Sequence, residues 1–204
     1  RAADEDWGAK ISSWGYVTLT VNSTVPRGID HCSKAVADYA DLAYDVYRGL
    51  NLLAQKAFVD RRRMAVDGFG WGAWQTLAAI ERGEIEQSSE LKFRAAAAFY
   101  PLCGSFKGRL TVPTLLPAGE GDLLAPANAC RKLVAGEDDM GISRHKGESA
   151  PIRLIVYPPA NLVPRKTSAP YRGIYKEFDQ SAAEQSAEAL RDFLDQHLGT
   201  SGKT

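Results

Sequence analysis

The spacing that could carry chemistry in this chain is Gly68-Phe69-Gly70-Trp71-Gly72. It follows a short strand-like run after a charged turn, Arg63-Met64-Ala65-Val66-Asp67, and opens a helix expected from about Ala73 to Glu81. This is the layout of a G-x-S-x-G nucleophile elbow. There, glycines let a strained turn sit close to neighbouring backbone, and a serine is held out at the tip. The frame is intact here, but the tip residue, Gly70, has no side chain to attack a carbonyl. Cys103 stands at the end of another expected strand and is a candidate substitute nucleophile. No His or Lys in the sequence pattern marks it for a lowered pKa. His31 follows the Pro26-Arg27-Gly28 loop, which is expected to face the same strand ends. Phe69 and Trp71 fit either a pocket wall or ordinary core packing. Tyr171, Arg172 and Tyr175 are candidates to cover the site from a long final loop.

The remaining composition excludes several other chemistries. Three cysteines (Cys32, Cys103, Cys130) at wide spacing form neither a disulfide framework nor a zinc pattern, and free buried thiols are expected. Three scattered histidines suggest no metal site, and no cofactor motif is present. Lys plus Arg and Asp plus Glu are each 25, so the basic excess of a nucleic-acid binder is missing. Mean hydropathy is −0.27. No apolar run approaches the roughly 18 residues that span a bilayer, so no membrane partner is expected. The chain opens at Arg1 rather than Met, which reads as a processed or truncated start. No compartment follows from this.

The elements that must position these residues alternate between strand and helix. A helix ends at Trp7 to Trp14, stopped by Gly15. A strand is expected at Tyr16 to Val21, then a loop to Ser33, then an amphipathic helix from Ala35 to Gln55 with Val36, Tyr39, Ala43, Val46, Leu50 and Leu53 on one face. Arg94 to Tyr100 has helical propensity in its alanines, but Pro101 and the alternation of elements favour a buried strand. Val112 to Ala118 is a strand, Pro126 to Ala135 a helix and Ile152 to Tyr157 the last strand. A capping box, Ser181 and Glu184, opens the final helix. The pattern predicts one α/β domain over residues 1–204, with a mostly parallel sheet between two helical layers.

At this level the chain resembles the dienelactone hydrolase family of α/β-hydrolases. The resemblance rests on Trp14-Gly15-Tyr16-Val17 with Pro26-Arg27-Gly28-Ile29, and on Phe58-Val59-Asp60 leading to Arg62-Arg63-Met64-Ala65-Val66. It continues in Tyr100-Pro101-Leu102-Cys103-Gly104 and in Val112-Pro113-Thr114-Leu115 with Gly119-Glu120-Gly121-Asp122 and Pro126. Val156-Tyr157-Pro158-Pro159-Ala160 completes it. The resemblance implies an α/β-hydrolase-type sandwich that lacks its N-terminal strands, and a Ser or Cys, Asp, His triad in that chain order. Carried over by position, Gly70 stands for the nucleophile, Asp122 for the acid and Leu162 for the histidine. Only Asp122 keeps its chemistry. The strand and oxyanion loop that precede the opening helix in the family are also missing. That strand would lie between Tyr16–Val21 and Met64–Asp67. Either another segment fills the gap or these two strands pair directly.

Three functional readings follow. The first is a catalytically degenerate dienelactone-hydrolase-like protein, a pseudoenzyme that keeps a small-molecule pocket at the strand ends near Phe69, Trp71, Cys103 and His31. The second is a carboxylic-ester or lactone hydrolase, or a non-covalent acid–base enzyme that uses Asp122. It requires Asp122 to be buried beside a roomy pocket. The third is an interaction module whose open sheet takes a strand from a partner or joins a homo-oligomer.

Overall fold

The computed structural model describes residues 2–28, 39–107, 109–137, 149–157 and 179–199. Helix α1 spans Ala2–Ser13 and helix α2 spans Tyr39–Ala54. Strand β1 (Ala65–Phe69) leads into α3 (Trp71–Ile80) and the short α4 (Glu84–Gln87). Then come β2 (Ala95–Phe99), β3 (Thr114–Gly119), α5 (Ala127–Ala135), β4 (Ile152–Tyr157) and α6 (Gln180–Leu198). The four strands form one parallel sheet in the order β1-β2-β3-β4. All carboxyl ends therefore lie on one edge of the fold.

The core divides by strand parity. In β2, Ala95, Ala97 and Phe99 face one side, where they pack with Leu190, Phe193 and Leu194 of α6 and with Trp7 and Ile11 of α1. Ala96 and Ala98 face the other, with Val46 and Leu50 of α2, Leu77 of α3 and Leu133 of α5. This is a sheet between two helical layers. It also explains the alanine run: every residue of β2 is buried, and small side chains let helices approach both faces.

Several element boundaries differ from those expected. Helix α6 starts at Gln180, one residue before the expected cap, because Asp179 takes the N-cap and accepts from the Ala182 N–H at 2.9 Å. Ser181 instead accepts from Gln185 within the first turn. The expected free thiols at Cys103 and Cys130 are corrected: the two form a disulfide across 27 residues. It ties the loop after β2 to α5. Cys32 lies outside the described residues.

The expected strand at Tyr16–Val21 is corrected as well. Among the described residues the segment joins no sheet. Its alternation is kept by side-chain contacts. Thr18 bonds to the Ser12 hydroxyl of α1 at 2.9 Å. On the other face, Val21 and Leu19 crowd Gly49 of α2, where a Cβ would lie 2.7 Å from Val21 Cγ2. Among the described residues it does not pair with β1, and no described strand fills the space beside β1.

Candidate functional site

Three loops leave the carboxyl ends of adjacent strands: the turn at Gly70 after β1, the turn at Tyr100 after β2 and the Glu120–Asp122 turn after β3. In open parallel sheets, ligands bind outside these ends.

Gly70 sits at φ 57° and ψ −110°, a left-handed conformation that L side chains rarely adopt. Its N–H donates to the Phe99 carbonyl at 3.0 Å, and its carbonyl accepts from the Trp74 N–H at 3.1 Å. The turn is thus held by β2 on one side and by the first turn of α3 on the other. Gly68 makes it possible sterically, because a Cβ there would lie 2.2 Å from the Gly72 carbonyl oxygen. Gly72 itself has open space around it. The strand–turn–helix expected from the glycine spacing is therefore present, with its positive-φ tip at Gly70.

Tyr100 faces this tip. A Cβ on Gly70 would lie 3.3 Å from Tyr100 Cε2. Tyr100 also has a positive φ of 42°, which is uncommon for a bulky residue. Its N–H donates to the Pro117 carbonyl at 2.8 Å. Sequence reasoning gave Tyr100 no role beyond a strand end. The Tyr-Pro pair was the available signal for an irregular backbone.

Asp122 is 5% exposed. Its Oδ1 accepts from the backbone N–H groups of Leu124 (2.9 Å) and Ala125 (3.0 Å), and its own N–H donates to the Gly119 carbonyl at 3.2 Å. The carboxylate is thus oriented by the loop that carries it. Phe69 lies in the core, stacked on Trp7 with ring centroids 4.9 Å apart and packed near Phe99 at 4.7 Å. Trp71, in the first turn of α3, is 36% exposed. Cys103 is buried in its disulfide and presents no thiolate. His31 and Leu162 lie outside the described residues, as do Tyr171, Arg172 and Tyr175.

A cavity of about 530 Å³ lies elsewhere, lined by Leu19, Val21, Arg27, Asp45, Gly49 and Leu52 among others. Gly70 and Asp122 do not line it. Beside it, Asp45 accepts from Arg27 and Arg48. Burial pulls the Asp45 carboxyl upward, but the Arg27 and Arg48 hydrogen bonds outweigh this and hold it below its ordinary value. Among the described residues, no group of three His, Cys, Asp or Glu is placed to hold a metal. No described helix is long and apolar enough to cross a membrane.

One buried acid was missed. Asp67, in the middle of β1, has both carboxylate oxygens shut from solvent, and among the described residues neither completes a hydrogen bond. Desolvation pushes its carboxyl well above the usual range, opposed only by the neighbouring Gly68 N–H. A lone acid inside an apolar strand was the signal.

No family model and no curated protein matches the chain. Its fold does match solved structures. The apo form of Thermogutta terrifontis esterase 2 aligns with a TM-score of 0.58 at 16% identity, over 86% of this chain and 70% of that one. A Klebsiella pneumoniae protein assigned as a dienelactone hydrolase aligns with a TM-score of 0.56 at 16% identity, over 80% of this chain and 64% of that one. Puromycin hydrolase aligns with a TM-score of 0.54 at 15% identity, over 79% of this chain and 25% of that one. The chain thus spans about a quarter of the length of that protein. The fold, a parallel sheet with helices, is of the α/β-hydrolase type of these neighbours.

Proposed function

We propose that this chain is a catalytically silent member of the α/β-hydrolase-type scaffolds, similar to dienelactone hydrolases in its sequence pieces. The observation that carries the reading is Gly70: the tip of the elbow-like turn holds the backbone conformation of a nucleophile but offers no oxygen or sulfur. Covalent hydrolysis needs an attacking atom activated by a base, and members of such a set act as a unit. Leu162, read as the histidine position, supplies no proton carrier. Asp122, read as the surviving acid, is held by its own loop. The cysteine that stood as a substitute is consumed in a disulfide.

A second reading keeps Asp122 as a working general base on a reactive ester or lactone. Its burial favours this. One experiment separates the two. Hydrolysis of p-nitrophenyl acetate and of a dienelactone is measured for the wild type and for Asp122→Ala. The silent reading expects both proteins at the buffer rate. Turnover well above background that disappears in Asp122→Ala supports the second reading and overturns the first.

A further inference from the structure

The contact between Tyr100 and Gly70 carries an inference that rests on the silent reading above and deepens it. A Cβ built on Gly70 marks the direction in which a nucleophile's side chain would leave the tip. Tyr100 stands in that direction: its Cε2 lies 3.3 Å from the Cβ position and its Cδ2 3.7 Å. Carbon atoms touch at about 3.5–4.0 Å, so no third group fits between the ring and the tip. A carbonyl carbon under attack must come within about 3–3.5 Å of the attacking atom. That atom would itself be carried on the Cβ, so the ring and an acyl group compete for the same space.

The ring is held from several sides. Its centroid is 6.3 Å from that of Phe69, at the end of β1. It also packs against the Tyr157–Ala182 cluster, at the end of β4 and the start of α6. The backbone beneath it is fixed as well. Tyr100 has a φ of 42°, uncommon for a bulky L residue, and it precedes Pro101, which narrows its choices further. Its N–H donates to the Pro117 carbonyl of β3 at 2.8 Å, and the Cys103 N–H donates to the Pro101 carbonyl at 2.9 Å. Pro101 is fully buried, and the Cys103–Cys130 bridge ties this turn to α5. A backbone conformation of this kind persists where the surrounding structure over-determines it. Its consequence is a side chain aimed at the elbow.

We propose that Tyr100 closes the strand-end site: its ring occupies the approach to the tip at Gly70 and excludes an acyl group from it. The site is then shut by a ring as well as lacking its nucleophile. Shape does the excluding, so the aromatic ring matters and the hydroxyl does not.

The test places a thiol at the tip with Gly70→Cys and measures its alkylation by iodoacetamide, a reaction that needs no catalytic partner from the protein. Peptide mass spectrometry reads the rate at that position, in native buffer and in concentrated urea. The native rate is expected to be about 100-fold below the urea rate, because the reagent must wait for local opening. Adding Tyr100→Gly, which suits the positive φ, is expected to bring the native rate to within about tenfold of the urea rate. Adding Tyr100→Phe is expected to leave it low. A native rate near the urea rate in Gly70→Cys alone, no change on adding Tyr100→Gly, or fast alkylation with Tyr100→Phe would each overturn the proposal. Should Gly70→Cys fail to fold, NMR reads the native tip instead. p-Cresol, which has the shape of the tyrosine side chain, is expected to shift the Gly70 and Trp71 amides of Tyr100→Gly saturably and to leave those of the wild type in place. Shifts in both proteins, or in neither, overturn the proposal. The two readings fail separately. Ester turnover by the wild type would sink the silent reading, whereas rapid alkylation at the tip would sink the closure and leave the missing nucleophile as the ground for silence.

Discussion

The backbone N–H of Gly70 donates to the carbonyl of Phe99 at 3.0 Å, which locks the tip of the β1–α3 turn to the end of the neighbouring strand. The turn therefore keeps its elbow shape, at a positive φ that glycine adopts without steric cost. Its position is fixed on two sides, by the bond to β2 and by the Trp74 N–H of α3 on its carbonyl, with the Tyr100 ring against it.

Restoring a side chain at the tip has a cost. In Gly70→Ser the new Cβ would sit at a φ of 57° and 3.3 Å from the Tyr100 ring. The variant is expected to lose about 1–3 kcal/mol of stability, measured by urea unfolding. The proposed silent reading expects it to remain at the buffer rate of ester hydrolysis.

The flanking glycines should separate cleanly. Gly68→Ala drives a Cβ to 2.2 Å from the Gly72 carbonyl oxygen and 2.6 Å from Thr76 Oγ1, between a strand and a helix that cannot easily part. A loss of about 3 kcal/mol or more is expected. Gly72→Ala meets nothing within 4 Å and lies in the first turn of α3. It should be neutral or stabilising by up to about 1 kcal/mol. Paired thermal melts check both.

Asp67 should give the isolated chain an unusual pH dependence. Its folded carboxyl titrates above its unfolded value near 3.8, because burial disfavours the charge. The folded state therefore holds the proton to higher pH. The stability tied to this group is complete below about pH 3.8 and is lost as pH rises through the folded value. Asp67→Asn stays neutral throughout. It should exceed the wild type by about 1–3 kcal/mol at pH 7, with the difference shrinking toward pH 4. Unfolding curves across that range test the sign; a difference that grows toward acid would contradict it.

The Cys103–Cys130 bridge closes a loop of 27 residues. In the chain-entropy account its removal should cost about 3–4 kcal/mol. A double Cys103→Ala, Cys130→Ala variant and the wild type in reductant should show matching losses. A free-thiol assay of the denatured, unreduced protein should find no thiol at Cys103 or Cys130.

The sequence by itself determined the alternation of elements and the turn at the catalytic-like tip. Both are local properties: glycine spacing dictates where a positive φ is tolerated, and the period of apolar residues dictates which face is buried. The final strand, Ile152–Tyr157, and the buried strand of alanines were legible for that reason. Only tertiary structure decided the rest. Tyr16–Val21 has the residue types of a strand, but a strand needs a partner, and its side chains are spent on α1 and α2 instead. Cys103 and Cys130 pair because the turn after β2 and α5 meet in space, which no spacing encodes. The isolation of Asp67 depends on what stands beside β1, and a sheet edge is defined by neighbours that lie far away along the chain.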